Sequence, residues 1–175
     1  LHDPFRGSTP RWGHASDAGS EHLLHLHDIS ENSFTGMLPE SGLRVVTWFN
    51  IHTNRFAGML PDGGMRAMLA VSTFDISENS FTGMLPESGL REVTGFHIYN
   101  NRFARSLPVH MLICMRKVED FHIYTNRFAG ALPDGGLRAM LAVTHFNIGK
   151  NSFTGTLDAG SEHLLHLHQP LCRNA

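Results

Sequence analysis

The chain has 175 residues, 41% apolar and 17% charged, which suits one domain with a buried interior and excludes a disordered tail. A formal net charge of −2 excludes the basic footprint of a nucleic-acid binder and a polybasic membrane patch. Two cysteines, Cys114 and Cys172, exclude a disulfide framework and a cysteine zinc cluster, and no apolar run is long enough to span a bilayer.

Residues 1–20 are read as an N-terminal cap region. The first residue is Leu1, with no signal-like segment after it, so a fragment or a processed product is expected. The string "DAGSEHLLHLH" follows at Asp17–His27 and recurs, letter for letter, at Asp158–His168. Each copy carries a histidine pair two residues apart, His25 with His27 and His166 with His168. In a strand, such a pair would present both imidazoles on one face, which makes these four residues weak metal-ligand candidates. In register with the units that follow, the two copies read instead as end units, where one face lacks a neighbour and polar residues are needed.

From residue 21 to 157 the chain repeats itself. "HDISENSF" at His27 is followed by "FNIHTNRF" at Phe49, "FDISENSF" at Phe74, "FHIYNNRF" at Phe96, "FHIYTNRF" at Phe121 and "FNIGKNSF" at Phe146. The asparagines Asn32, Asn54, Asn79, Asn101, Asn126 and Asn151 mark about six units of 22 or 25 residues. Asp28–Arg44 is identical to Asp75–Arg91, which points to duplication.

Each unit predicts one short strand. Phe49 and Ile51 share one side of it, and Asn50 and His52 the other. A tight corner is predicted over Asn54, Phe56 and Gly58, and Pro61 ends any sheet ladder. "DGG" and "ESG" are read as turns, and "VHMLICMRKVED" (Val109–Asp120) as a short outer helix. Because the chain returns within one unit, successive strands are parallel and stack in register. Two phenylalanine spines result: Phe49, Phe74, Phe96, Phe121 and Phe146, and Phe34, Phe56, Phe81, Phe103, Phe128 and Phe153. Isoleucine and leucine spines complete the interior. The asparagines form a structural ladder, since a carboxamide both donates to and accepts from a turning backbone. Cys114 aligns with Ala67 and Ala139 and is read as small and buried. The methionines of "MRAMLAV" are read as outer core. Residues 158–175 form the C-terminal end unit and tail, with Cys172 free or paired to another chain.

The pattern Val71, Phe74, Ile76, Asn79, Phe81, Gly83, Leu85 and Pro86 resembles the plant-type leucine-rich repeat. The resemblance implies an α/β fold: a right-handed leucine-rich-repeat solenoid of short parallel strands with turns and little helix. The fourth unit departs from it, with Arg105 where glycine is expected. The resemblance also implies a non-catalytic module that binds a protein or peptide through its concave strand face, with signalling as a setting. The outward strand positions supply the candidate binding residues: Trp48, Asn50, His52, Asp75, His97, Tyr99, Asp120, His122, Tyr124 and His145. Trp48 and the tyrosines suit recognition because they bury large area at low entropic cost. No cofactor and no catalytic residue is predicted, and the chain is expected to be monomeric. An extracellular or membrane-associated setting is implied by the resemblance alone.

Two other readings stay open. Thirteen histidines allow a metal-binding or pH-responsive protein. An ice-facing array is weaker, because Thr35, Thr82 and Thr154 alternate with Ala57, Ala104 and Ala129.

Overall fold

The structure is a computed structural model. It describes residues 28–157 except 41, 42, 44 and 45, together with residues 161, 163 and 164. His25, His27, His166, His168 and Cys172 lie outside the described residues, as does the cap region.

In chain order the elements are β1 (Thr35–Gly36), β2 (Trp48–Asn50), β3 (Arg55–Gly58), α1 (Asp62–Ala67), β4 (Thr73–Asp75), β5 (Ser80–Gly83) and β6 (Gly95–His97). They continue with β7 (Arg102–Arg105), α2 (Val109–Cys114), β8 (Asp120–His122), β9 (Arg127–Ala131), α3 (Asp134–Leu137), β10 (His145–Asn147) and β11 (Ser152–Thr154). The even-numbered strands form one parallel sheet and the odd-numbered strands a second, each in chain order. The α/β solenoid with little helix is therefore present, but each complete unit gives two strands rather than one.

The second strand replaces the expected corner. Phe56 points inward between Arg55 and Ala57, a period-two pattern that a strand satisfies. The corner sits earlier, on the residue just before each ladder asparagine. Glu31, Thr53, Glu78, Asn100, Thr125 and Lys150 all adopt φ between 51° and 56°, which swings the chain from one sheet to the other. The second strand then meets glycine at positive φ, as at Gly58 and Gly83. In the fourth unit Arg105 holds that place with φ 73°, so the backbone shape persists without the residue that suits it.

Register makes the core. Phe49, Phe74, Phe96, Phe121 and Phe146 lie opposite one another, with ring centroids 5.5 to 5.8 Å apart. The second stack, Phe34 to Phe153, has spacings of 6.0 to 6.4 Å. Ile51, Ile76, Ile98 and Ile123 are fully buried, and Leu38, Leu60, Leu85 and Leu107 are buried on the far side.

The asparagine side chains tie each unit to the one before. Asn101 Nδ2 donates to the carbonyls of Ile76 (3.0 Å), Ile98 (3.3 Å) and Tyr99 (3.3 Å), while its Oδ1 accepts the Phe81 N–H at 2.9 Å. Asn54, Asn79, Asn126 and Asn151 repeat the arrangement on their own neighbours. Asn32 donates to Ile29 and Ser30.

The outer side differs between units. The "DGG" segments, expected as turns, open the short helices α1 and α3. Close approach explains their glycines: a Cβ on Gly64 would stand 2.7 Å from the Pro39 carbonyl oxygen, and one on Gly136 2.8 Å from Leu112 Cβ. Val109–Cys114 is helical, as the sequence suggests. Cys114 is half-buried at the end of that helix, not fully buried as its alanine counterparts suggested. Met65, Met68, Met115 and Met140 are buried, whereas Met37, Met59 and Met84 form an exposed row at 70%, 58% and 50% exposure. No helix among the described residues is long and apolar enough to cross a membrane.

Candidate functional site

Alternation along the first sheet sends Phe and Ile inward and leaves three columns on the other side. Pairing fixes two of them: Trp48, Thr73, Gly95, Asp120 and His145, then Asn50, Asp75, His97, His122 and Asn147. The third is His52, Ser77, Tyr99, Tyr124 and Gly149. It is held beyond the strands by backbone bonds from Thr53 to Ser77, Glu78 to Tyr99, Asn100 to Tyr124 and Thr125 to Gly149, each 3.0 to 3.1 Å. All ten sequence-derived site residues lie on this side.

The structure brings some of them into contact. Tyr99 and Tyr124 stack with centroids 4.6 Å apart and planes 5° from parallel. That separation is close to the spacing between strands, about 4.8 Å, so the ring normals run roughly across the sheet. His97 and His122 meet edge to face at 5.0 Å, and His122 lies 6.4 Å from Tyr124. His145 Nδ1 is 2.6 Å from Asp120 Oδ1. Trp48 stands apart from this group: it is 62% exposed on β2, with Thr73 and Gly95 as its successive partners.

Other candidates serve the backbone. Asp75 Oδ1 accepts the Ser77 N–H at 3.0 Å and the Ser77 hydroxyl at 2.5 Å. Asp28 does the same for Ser30, Asn147 accepts from Gly149 at 3.1 Å, and Asn50 from His52 at 3.5 Å. These are Asx turns that close the strand end. The signal was available, since Asp or Asn occupies that position except where His97 and His122 stand. His52 Nδ1 lies 2.9 Å from Thr53 Oγ1. Sequence reasoning missed Glu78, an exposed corner residue bonded through its N–H to the Tyr99 carbonyl.

Electrostatics follow the geometry. The Ser30 hydroxyl bond holds the Asp28 carboxyl below the usual range. Burial, then the neighbouring His97, pushes His122 down. Burial raises the Tyr124 hydroxyl, aided by Tyr99 and by the negative charges of Glu78 and Asp75. Among the described residues no group of three or more His, Cys, Asp or Glu is arranged to hold a metal ion. In the second histidine-rich copy, His163 Nε2 lies 3.3 Å from the Met140 carbonyl and Leu164 is buried in the core.

No protein-family model matches the chain, and no curated protein matches it. Solved structures do. The LRR ectodomain of the Arabidopsis receptor kinase HAESA, in complex with an N-terminally extended IDA peptide hormone ligand, superposes with a TM-score of 0.60 at 21% identity, over 76% of this chain and 27% of that one. The PEPR1–AtPEP1 structure gives 0.63 at 20% identity, over 77% of this chain and 22% of that one. The BIR3–SERK2 complex from Arabidopsis thaliana gives 0.63 at 18% identity, over 74% and 69%. The chain thus spans about a quarter of the first two. At these identities the likeness establishes the fold, a leucine-rich-repeat solenoid, and the fold alone.

Proposed function

We propose that this leucine-rich-repeat solenoid is a non-catalytic recognition module that binds a protein or peptide on the outward columns of its first sheet, the concave face of the family. The observation that carries the reading is the aromatic and imidazole cluster of Tyr99, Tyr124, His97 and His122. His97 and His122 end the adjacent strands β6 and β8, Tyr99 and Tyr124 lie two residues further on, and each is partly exposed. Stacked tyrosines offer a rigid contact area that loses little entropy when covered. The HAESA and PEPR1 structures support the reading by analogy, since the HAESA structure is described with a peptide ligand. Selection from a random peptide library tests it. Peptides should be enriched that bind the wild type and lose binding to a Tyr99→Ala/Tyr124→Ala variant with unchanged circular dichroism. Enrichment of no peptide, or equal binding to both proteins, contradicts the proposal.

A second reading rests on the His97–His122 pair and the His145–Asp120 contact. Imidazoles this close repel once protonated, which would make binding respond to pH between 7 and 5.5. Affinity that stays constant over that range would remove it.

A further inference from the structure

The recognition face is not neutral. Asp28, Asp75, Glu78, Glu119 and Asp120 belong to the first sheet or its corners, while the repeat arginines Arg55, Arg102 and Arg127 begin strands of the second sheet. Lys150 lies two strands beyond Tyr99, at the Gly149 end. The two sheets thus carry opposite charges, and the tyrosine stack stands on the acidic one.

Around Tyr99 the arrangement is more specific. Its neighbour on the β4 side is Ser77, a small residue that is fully buried. Ser77 fixes the Asp75 carboxylate through Oδ1 with both its N–H and its hydroxyl. Neither of those bonds uses Asp75 Oδ2. Glu78, exposed and hydrogen-bonded through its backbone to the Tyr99 carbonyl, adds a second acidic residue directly after Ser77. The negative charges of Glu78 and Asp75 both act on the Tyr124 hydroxyl, the partner of Tyr99 in the stack. A planar aromatic platform beside two carboxylates, one of them held by a buried serine, matches the requirements of a guanidinium. The ring face attracts the cation, and the carboxylates accept its in-plane N–H groups.

The geometry points to an arginine of the partner peptide as the residue that docks here, stacked on Tyr99 and paired with Asp75 and Glu78. This inference rests on the recognition reading above and adds the chemistry of the ligand. Arginine fits better than lysine because the site rewards a flat, stacked donor rather than a point charge.

The same library selection tests it, followed by titrations of the strongest peptide. Arginine should be enriched at one position of the selected peptides. Replacing it by citrulline, which keeps the plane and loses the charge, should weaken binding about tenfold, and lysine about threefold. Asp75→Asn, which keeps the bond to Ser77, and Glu78→Gln should each weaken binding about threefold, with no further loss when the citrulline peptide is used. Peptides that need Tyr99 and Tyr124 but show no arginine preference, or bind Asp75→Asn and Glu78→Gln as tightly as wild type, overturn the arginine site and leave the recognition face standing. Failure to select any peptide removes both.

Discussion

Single residues carry unequal loads in this repeat. Asn101 is buried and satisfies three carbonyls and one N–H across two units. Asn101→Ala leaves the Phe81 N–H without its partner, while the Ile76, Ile98 and Tyr99 carbonyls keep their bonds from Asn79, Asn126 and Glu78, so a loss of roughly 1–3 kcal/mol is expected in urea unfolding. Arg105 is the opposite case. It occupies left-handed backbone where the other units use glycine, so Arg105→Gly should stabilise the protein by about 1 kcal/mol, read as a rise in Tm. His122 links the site to acidity. Its folded pKa lies below the ordinary value of 6.5, so the unfolded chain takes the proton first. The stability it contributes is complete above about pH 6.5 and is lost as the pH falls toward the folded pKa. His122→Gln should flatten that part of the stability profile, measured by urea melts between pH 7.5 and pH 5.

At the scale of elements, stacking decides the outcome. Phe96 is fully buried between Phe74 and Phe121, and Phe96→Ala should cost about 3–5 kcal/mol in chemical denaturation. The inward rows were legible because a period of two, repeated at fixed spacing, names the same residues in every unit. The columns of the first sheet were legible for the same reason, and pairing places Asn50, Asp75, His97, His122 and Asn147 side by side. The second sheet was not. Its strands span two to five residues, and the corner that releases them lies on ordinary residues such as Thr53 and Glu78, with no glycine or proline to mark it. The helices α1 and α3 escaped because "DGG" suits a turn. Only the approach of Pro39 and Leu112 shows why those glycines are needed. Within the site, sequence could nominate Tyr99 and Asp75 but not the bond that turns Asp75 onto Ser77.

For the whole molecule, each unit touches only its neighbours, so stability is a sum along one axis. Central strands have partners on both sides. β6 lies between β4 and β8 in the first sheet, whereas β1 and β11 pair on one side only among the described residues. Amide exchange should therefore be slowest in β6 and its neighbours and fastest at β1 and β11. A uniform rate along the chain would show that the solenoid opens only as a whole. The proposed recognition cluster sits at the ends of β6 and β8, in the part expected to be most protected. Under the proposed function, binding there should require little ordering of the solenoid, and any cost of folding would fall on the peptide.

The two classes of methionine give the protein a built-in chemical clock. Met37, Met59 and Met84 face solvent, while Met65, Met68, Met111, Met115 and Met140 are buried in the core. Dilute peroxide should convert the first three to sulfoxides while the solenoid is closed, because thioether oxidation follows exposure. The buried five would gain oxygen only as units open, and each such event would insert a polar sulfoxide where a flexible apolar side chain had packed. Oxidation that reaches the interior therefore opposes reclosure of the unit, whereas oxidation of the surface row leaves the packing beneath it intact.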